Sequence, residues 1–593
     1  MSAPAVLPYT TFYRTHTCGE LRLDHGGQAV KLSGAVDKYY DDGSFDLRDT
    51  YGVTRVKLGE KPLAMILESM NLPETPPDKR HKRMTVESVI TVKGTVRPRP
   101  QPDEKAPTGA VFLEGTDLDI LAPAKTPVIF NQNDEKLPAE QRRRHRYVYL
   151  RKPIVHEHLR FRTRLTADLR RFLLERSFLD VVTPLLSARW TPDQTDAFLS
   201  VRARAEVFAL QGKRSNVGTL LMASGFDRTF EVGRRFQRLK AYGPFEQPEY
   251  TVLEGNLAYV EENDLVSLVS QLIGNIGKTT LGEPFGPIVK LTAAEAEEKY
   301  GTDRPDLRYG LELHDPAKAD PPVAAPQLRE LCKTGAVRLI RVHAARAGKL
   351  GDPGLDKLTA ALGPQGLIAR VNVTPEKTGD VPGGGLQQPA ADELVQVLKA
   401  EPGDVLFAVA GRNAGLVSQV AGQLRAAIGN ATGGARKNAF ALITRLPYFR
   451  LDLAQNKPIL EGDPLTRPVA TELDGDPRDL HGLAFHIVLN GMKVGSGAVR
   501  NHDAGVQREL FDKLGLAAQE VSDRFGALIE SYRFGVPPHA RFVLGIDKLT
   551  ALLRGLDSLD DVMAMPKNPD CSDGLTRAPV AISKGITRGL LGH

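Results

Sequence analysis

Residues 227–260 read DRTFEVGRRFQRLKAYGPFEQPEYTVLEGNLAYV. The β-formers Thr229, Phe230 and Val232 open this stretch, and Tyr250, Val252, Leu257 and Tyr259 close it. Between them stand Gly233, Gly243, Pro244 and Pro248, which favour turns. The spacing predicts a strand, a long charged loop and a second strand. Arg234, Arg235, Arg238 and Lys240 put a basic run on that loop. Such a hairpin can hold an anionic ligand over a sheet; a solvated basic loop is the plainer alternative.

Composition bounds the rest. A chain of 593 residues has room for roughly two to four domains. With 41% hydrophobic and 25% charged residues it has the make-up of a soluble globular protein. A net charge of +6 permits an acidic partner such as nucleic acid without requiring one. Cys18, Cys332 and Cys571 are too far apart for a disulfide framework or metal-ligand spacing, which suits a reducing cytoplasm. No apolar run approaches the ~18 residues of a membrane span. The opening MSAPAVLPYTTFY lacks a basic region followed by an apolar core. The expectation is a cytoplasmic protein with no membrane segment.

Toward the N-terminus, strand-like runs at Ala29–Val36, Ser44–Leu47, Val53–Leu58, Val86–Val96 and Ala110–Leu113 predict a small barrel of the OB type. Lys38, Tyr39 and Tyr40 are candidate nucleic-acid contacts there, because tyrosines stack on bases. Asp37, Asp41 and Asp42 beside them repel phosphate, and half-buried barrel tyrosines are an equal alternative. Prolines and charges over 97–145 predict the last barrel strand and a hinge. Leu165, Leu169, Phe172 and Leu173 recur at helical steps and predict an amphipathic helix over Leu159–Phe178. Phe178–Leu186 then predicts a strand containing Pro184. The run VPGGGL lacks the strand–turn–helix setting of a phosphate loop.

In order along the chain, these segments resemble the class II aminoacyl-tRNA synthetases, and within them the bacterial-type aspartyl-tRNA synthetases. RTHTCGELR, FDLRDTYGVTRV and GTVRPRP resemble that family's anticodon-binding barrel. The helix and strand over 159–186 resemble motif 1, which implies a homodimer. Phe236 to Tyr250 resembles motif 2, whose pattern is F-R-x-E, a loop, then R-Q-P-E-F. KLTAAEAEEKYGTDRPDLRYGLEL resembles the segment before the family's inserted GAD domain. LAFHIVLNGMKVGSGAVRNHD and the run through Gly545, Ile546, Asp547 and Lys548 resemble the stretch up to and including motif 3. The implied fold is multidomain α+β. An OB barrel spans 1–118 and a hinge 119–145. A class II catalytic domain, an antiparallel sheet flanked by helices, spans 146–310 and 431–593 and is interrupted by an α+β insertion over 311–430.

The resemblance also assigns posts. The family makes aspartyl-adenylate from ATP with Mg²⁺, then transfers the aspartyl group to tRNA. Its motif 2 arginine falls at Gln237, with Arg238 adjacent, and the glutamate two places on falls at Leu239. Its motif 3 arginine falls at Lys548, after Gly545, and Gln247 is kept. The metal-holding carboxylates fall at His486 and Lys493. Aspartate recognition falls on Asp193, Ser215, Gly218, Gly462 and Arg500. Arginine forks onto phosphate and Mg²⁺ takes hard oxygen ligands, so Gln237, His486 and Lys493 remove chemistry the reaction uses. Lost transition-state contacts commonly cost ~10²–10³ in rate each. The reading is therefore a weak or inactive paralogue that binds tRNA, a small anionic amino acid or nucleotide, or a protein. A divergent aspartate or asparagine tRNA ligase remains open, as does a ligase using adenylate chemistry on another acceptor.

Overall fold

A computed structural model describes residues 10–59, 84–104, 106–124, 137–187, 199–201, 207–210, 212, 216–237, 239, 241–350, 354–363, 366–434, 437–452, 457–470, 473 and 475–579. Arg238, Lys240, Asp193 and Ser215 lie outside the described residues. The chain divides into two compact units, residues 1–157 with 574–576, and 158–573 with 577–593.

The first unit holds the expected barrel. Strands Ala29–Tyr39, Phe45–Arg48, Val53–Leu58, Val89–Pro98 and Val111–Ala122 close on themselves. Leu32, Val36, Leu47, Val56, Ile90, Val92 and Leu113 alternate inward and fill it. The last strand runs nine residues past the predicted Leu113, because Leu118 and Ile120 still pack against that core.

The second unit is organised by an eight-stranded sheet. Its strands are β1 (Leu179–Asp180), β2 (Arg228–Phe236), β3 (Glu249–Ala258), β4 (Val289–Thr292), β5 (Phe440–Pro447), β6 (His481–Leu489), β7 (Met492–Arg500) and β8 (His539–Gly545). They lie in the order β4-β5-β6-β7-β8-β3-β2-β1. The six central strands pair antiparallel, and only the two edge strands are parallel to their neighbours. Between β4 and β5 the chain builds a separate five-stranded antiparallel sheet. Helices Pro326–Thr334 and Gln388–Val397 cover one of its faces, and Ala414–Thr432 covers the other.

One row of residues fixes the register of the large sheet. Phe485, Gly497, Phe542, Gly255 and Phe230 stand side by side across β6, β7, β8, β3 and β2. Each glycine leaves room for a ring: an added Cβ would sit 2.3 Å from Phe485 at Gly497 and 2.3 Å from Phe542 at Gly255. All three rings are buried, together with Leu265, Val269 and Leu272 of helix Glu262–Asn275 and Leu165 and Leu169 of helix Pro153–Leu174. This face is the hydrophobic core; the next residue on each strand points to the other face.

Other predicted boundaries move as well. Helix Pro153–Leu174 starts and ends earlier than its apolar spacing suggests. The strand predicted over Phe178–Leu186 forms only at Leu179–Asp180 and Leu186–Ser187. Thr183, just before Pro184, gives its N–H to the Glu231 carboxylate at 3.1 Å instead of to a strand. Gly233 is not a turn: β2 runs through it, so Arg234 and Arg235 belong to the strand.

Replacing Gly497 by Ala is expected to lower the stability of the second unit by ~1–3 kcal/mol, because the Phe485 ring has to shift. An unchanged urea midpoint would show that the ring row does not set the register.

Candidate active site

On the sheet face opposite the core, charge replaces apolar packing. Its first row is Glu231, Glu254, Val543, Ser496 and His486, and its second contains Asn256, Arg541 and Ala498. A third places His539 directly opposite Arg500. Glu231 and Glu254 face each other across β2 and β3, an arrangement that repels unless a cation intervenes. Arg235 supplies it. Its side chain lies four residues from Glu231 on the same face, and Gly233 between them has no side chain to obstruct the contact; a Cβ there would meet the Glu231 carboxyl at 2.8 Å.

Arg235 is 1% exposed and donates to Glu231 Oε2 and Glu254 Oε2, each at 3.0 Å. Arg541 donates to the same Glu254 oxygen at 2.8 Å. Burial alone would raise the Glu254 pKa, but Arg541 and Arg235 outweigh it and hold it below the ordinary value. Thr183 adds a hydroxyl bond to Glu231 at 2.7 Å. The four charges cancel.

The same compensation recurs at Arg500. Its Nη1 lies 2.7 Å from Asp463 Oδ2, an ion pair too bent to count as a hydrogen bond, and its Nε has no acceptor among the described residues. Asp463 is placed by the turn in which Thr466 N–H donates to its carbonyl at 2.9 Å. Gly462, before it, packs against Tyr448, where a Cβ would come within 2.9 Å of the Tyr448 backbone. Gly218 is closed off as well: an added side chain would meet the Asn256 amide at 2.3 Å. His486 Nδ1 lies 3.2 Å from Asp303 Oδ2. Burial lowers the His486 pKa, and although burial pushes Asp303 up, His486, Arg304 and Lys493 together hold it down. Lys493 stands across from Val488 on the hairpin that carries His486.

The loop between β2 and β3 is tied internally. Gln237, just past β2, is buried; its Nε2 donates to Gln247 O at 3.0 Å and its N–H to Pro248 O at 2.8 Å. Tyr242 OH donates to Gln237 O at 2.9 Å and accepts from Leu239 N–H at 3.2 Å. Gln247 Oε1 accepts from Lys567 N–H at 2.7 Å. Gly545 ends β8, and Lys548 lies in the first turn of the following helix, Ile546–Leu553. In that turn Asp547 accepts from Arg162 Nε at 2.8 Å and Thr251 N–H at 2.7 Å.

The barrel residues are in the other unit. Tyr39 packs against the barrel core, 6.0 Å from the Phe45 ring, and burial raises its pKa. Tyr40 carries Arg55 at 3.5 Å and Lys38 at 4.8 Å from its ring centre and donates to Asp46 at 2.7 Å. Asp37 accepts from Arg48 at 3.0 Å.

The sequence reading placed Arg235 on a loop and missed Glu231, Glu254, Arg541 and Asp303 as site residues. A usable signal was present. Glu254 sits inside the apolar run TVLEGNLA, and a carboxylate in such a strand is almost always paired. Its partners come from other strands, so the sequence does not name them.

Comparison with known proteins follows the fold. Residues 138–569 match the family described as tRNA synthetases class II (D, K and N). The aspartate–tRNA ligase of Exiguobacterium sibiricum is 32% identical over 588 residues, covering 96% of this chain and 97% of that protein. The aspartate–tRNA(Asp/Asn) ligase of Salinibacter ruber is 32% identical over 605 residues, covering 95% and 92%. Among solved structures, the Pyrococcus horikoshii asparaginyl-tRNA synthetase complexed with asparaginyl-adenylate superposes with a TM-score of 0.57 at 15% identity, covering 93% of this chain and 98% of that one. The Entamoeba histolytica aspartyl-tRNA synthetase gives 0.55 at 16%, covering 92% and 90%.

Two outcomes follow from the charge pattern. Glu254→Gln leaves Arg235 and Arg541 short of a buried counter-charge and is expected to cost ~3–5 kcal/mol in urea unfolding at pH 7; a loss under ~1 kcal/mol would mean that water reaches the cluster. His539 is fully buried, and burial lowers its pKa from 6.5 to about 4. The neutral form fits the fold, so this stability is complete above pH 6.5 and is lost as pH falls toward 4, up to ~3 kcal/mol. Unfolding measured from pH 7 to pH 4 should show a shallower decline in His539→Gln than in the parent protein.

Proposed function

This chain belongs to the class II tRNA synthetases of the D, K and N group, and from that premise we propose that it binds tRNA without forming aspartyl-adenylate at a useful rate. The family's reaction supplies the background: an amino acid and ATP give an adenylate, and the acyl group passes to tRNA. The Arg500–Asp463 ion pair at 2.7 Å carries the reading. Arg500 is the residue the resemblance assigns to the substrate side-chain carboxylate. An internal carboxylate already meets it, so an incoming aspartate has to displace a tethered competitor.

Three further observations support the same reading. The Asn256 amide fills the space a lysine at position 218 would cross. Gln237 spends its amide N–H on the Gln247 carbonyl and offers no charge to a phosphate. The donors at the metal posts are an imidazole and an ammonium, which do not fit Mg²⁺. Among the described residues, no group of three or more His, Cys, Asp and Glu is placed to hold a metal ion. ATP, assigned by resemblance to Gln237, Leu239, Gln247, Lys493, Gly545 and Lys548, meets one cation on the motif 3 helix and one on the β6–β7 hairpin, but no arginine fork at Gln237. tRNA enters as the ligand named for the relatives. The barrel tyrosines are engaged internally, so its grip rests on other basic surface.

A homodimer is part of the proposal. Beside β1 an apolar strip is exposed at Leu179, Val182, Leu185 and Leu186, with Val182 94% accessible. Isolated apolar residues are ordinary on a surface, but four in eight positions at the last described strand of the sheet suit a symmetric partner. The inserted five-stranded unit corresponds on this reading to the family's GAD domain.

Purified protein is expected to give no ATP–pyrophosphate exchange above background with aspartate, asparagine or any other standard amino acid, while retaining bulk tRNA on a filter. Aspartate- or asparagine-dependent exchange would establish the divergent ligase instead, and exchange with another amino acid a changed one. Asp463→Asn frees Arg500, so aspartate should bind this variant roughly 10–100-fold more tightly by calorimetry, the worth of one charge-assisted bond. Sedimentation should show a dimer that Val182→Glu dissociates; a monomeric parent would remove that part of the proposal.

A further inference from the structure

Helix Ala414–Thr432 carries one cation into the interior, well apart in sequence from the residues of the sheet site. Arg425 is 1% exposed. Its Nε donates to the Leu311 carbonyl, and its Nη2 donates to the Asp306 carbonyl at 2.7 Å. These bonds fix the guanidinium plane but bring no negative charge. The two nearby acids are engaged elsewhere: the Asp306 carboxylate is held by Arg308 at 2.6 Å, and Glu312 accepts from Tyr300 OH at 3.1 Å. Arg425 forms no ion pair among the described residues, and burial lowers its pKa. Asp306 and Glu312 offset that burial only in part, and a buried cation without a contact ion pair is expensive, so its retention calls for a reason.

The surroundings supply one. The guanidinium centre lies 4.7 Å from the Tyr300 ring centre and 5.9 Å from that of Tyr309. Beside them opens a cavity of about 310 Å³ whose lining includes Val289, Tyr300, Leu307, Tyr309, Arg425 and a second cation, Arg308, which is itself paired with Asp306. Gly310 is exposed with φ +64°, and among the described residues no atom lies within 4 Å of where its Cβ would be, which leaves the rim open on that side. A guanidinium has five N–H groups, and two are used by the carbonyls. We propose that this cavity binds a small organic anion with a flat body. A carboxylate or phosphate takes the remaining donors of Arg425, while the body lies against the tyrosine rings and Leu307. The planar fork of arginine matches either anion, and the apolar walls favour a ring over a hydrated ion. The volume sits at the lower end of small-ligand pockets.

The test uses the full-length protein, with benzoate and phenyl phosphate as probes and benzamide as the neutral control, read by calorimetry and ligand-observed NMR. At least one anion should bind saturably, and benzamide at least tenfold more weakly. Preference for benzoate identifies a carboxylate ligand, and preference for phenyl phosphate a phosphate. Arg425→Lys keeps the charge but loses the fork and should weaken binding at least tenfold. Val289→Trp puts a bulky ring into the cavity lining and leaves Arg425 in place; it should abolish binding while the protein still unfolds cooperatively, and it decides the question if the Arg425 variant does not fold. Absence of binding by both anions, or binding that survives Val289→Trp, overturns the proposal. None of these readouts depends on adenylate chemistry at the sheet face.

Discussion

The large sheet has one permitted register, and the row Phe485, Gly497, Phe542, Gly255, Phe230 sets it. Rings alternate with glycines across five strands, and the Phe485 and Phe542 rings lie over the gaps at Gly497 and Gly255. A slip of one residue would turn every side chain of that strand to the opposite face and take its ring or glycine out of the row. Helices Pro153–Leu174 and Glu262–Asn275 pack on the ring side, so the penalty for slipping is the whole core. Everything on the other face inherits its position from this packing.

What that face inherits is a set of charges that satisfy one another. Arg235 and Arg541 are answered by Glu231 and Glu254, Arg500 by Asp463, and His486 stands against Asp303. Buried pairs of this kind add little stability relative to apolar packing, but losing one member is costly. The arrangement therefore persists once formed and resists piecemeal change. The answering charges are built into β2, β3 and the turn at Asp463. The loop between β2 and β3 follows the same logic, with Gln237, Tyr242, Gln247 and Lys567 bonded to one another.

Arg425 is the contrast. It is as buried as Arg235, yet its partners are carbonyls and aromatic rings. The connector at residues 303–311 meets both environments, since it places Asp303 against His486 and presents the Asp306 and Leu311 carbonyls to Arg425. One short segment thus separates a region where charge is cancelled from one where it is left open.

The sequence by itself determined the family, the barrel, the helix–strand order and which motif positions had changed, because local patterning and motif order survive without knowledge of contacts. Apolar steps located helix Pro153–Leu174 to within two turns, and the resemblance marks Gln237, Gly218 and Lys493 as departures from the family pattern. Tertiary structure alone decided what those substitutions mean. Gly233 reads as a turn in one dimension, but in the sheet it is the gap through which Glu231 reaches Arg235. Gly218 reads as a lost lysine, but Asn256 from β3 already occupies the space. Arg500 reads as a kept substrate contact, but Asp463 neutralises it from thirty-seven residues away in the chain. Charge compensation acts through distances of about 3 Å between residues far apart in sequence, and linear patterning carries no information about such pairs.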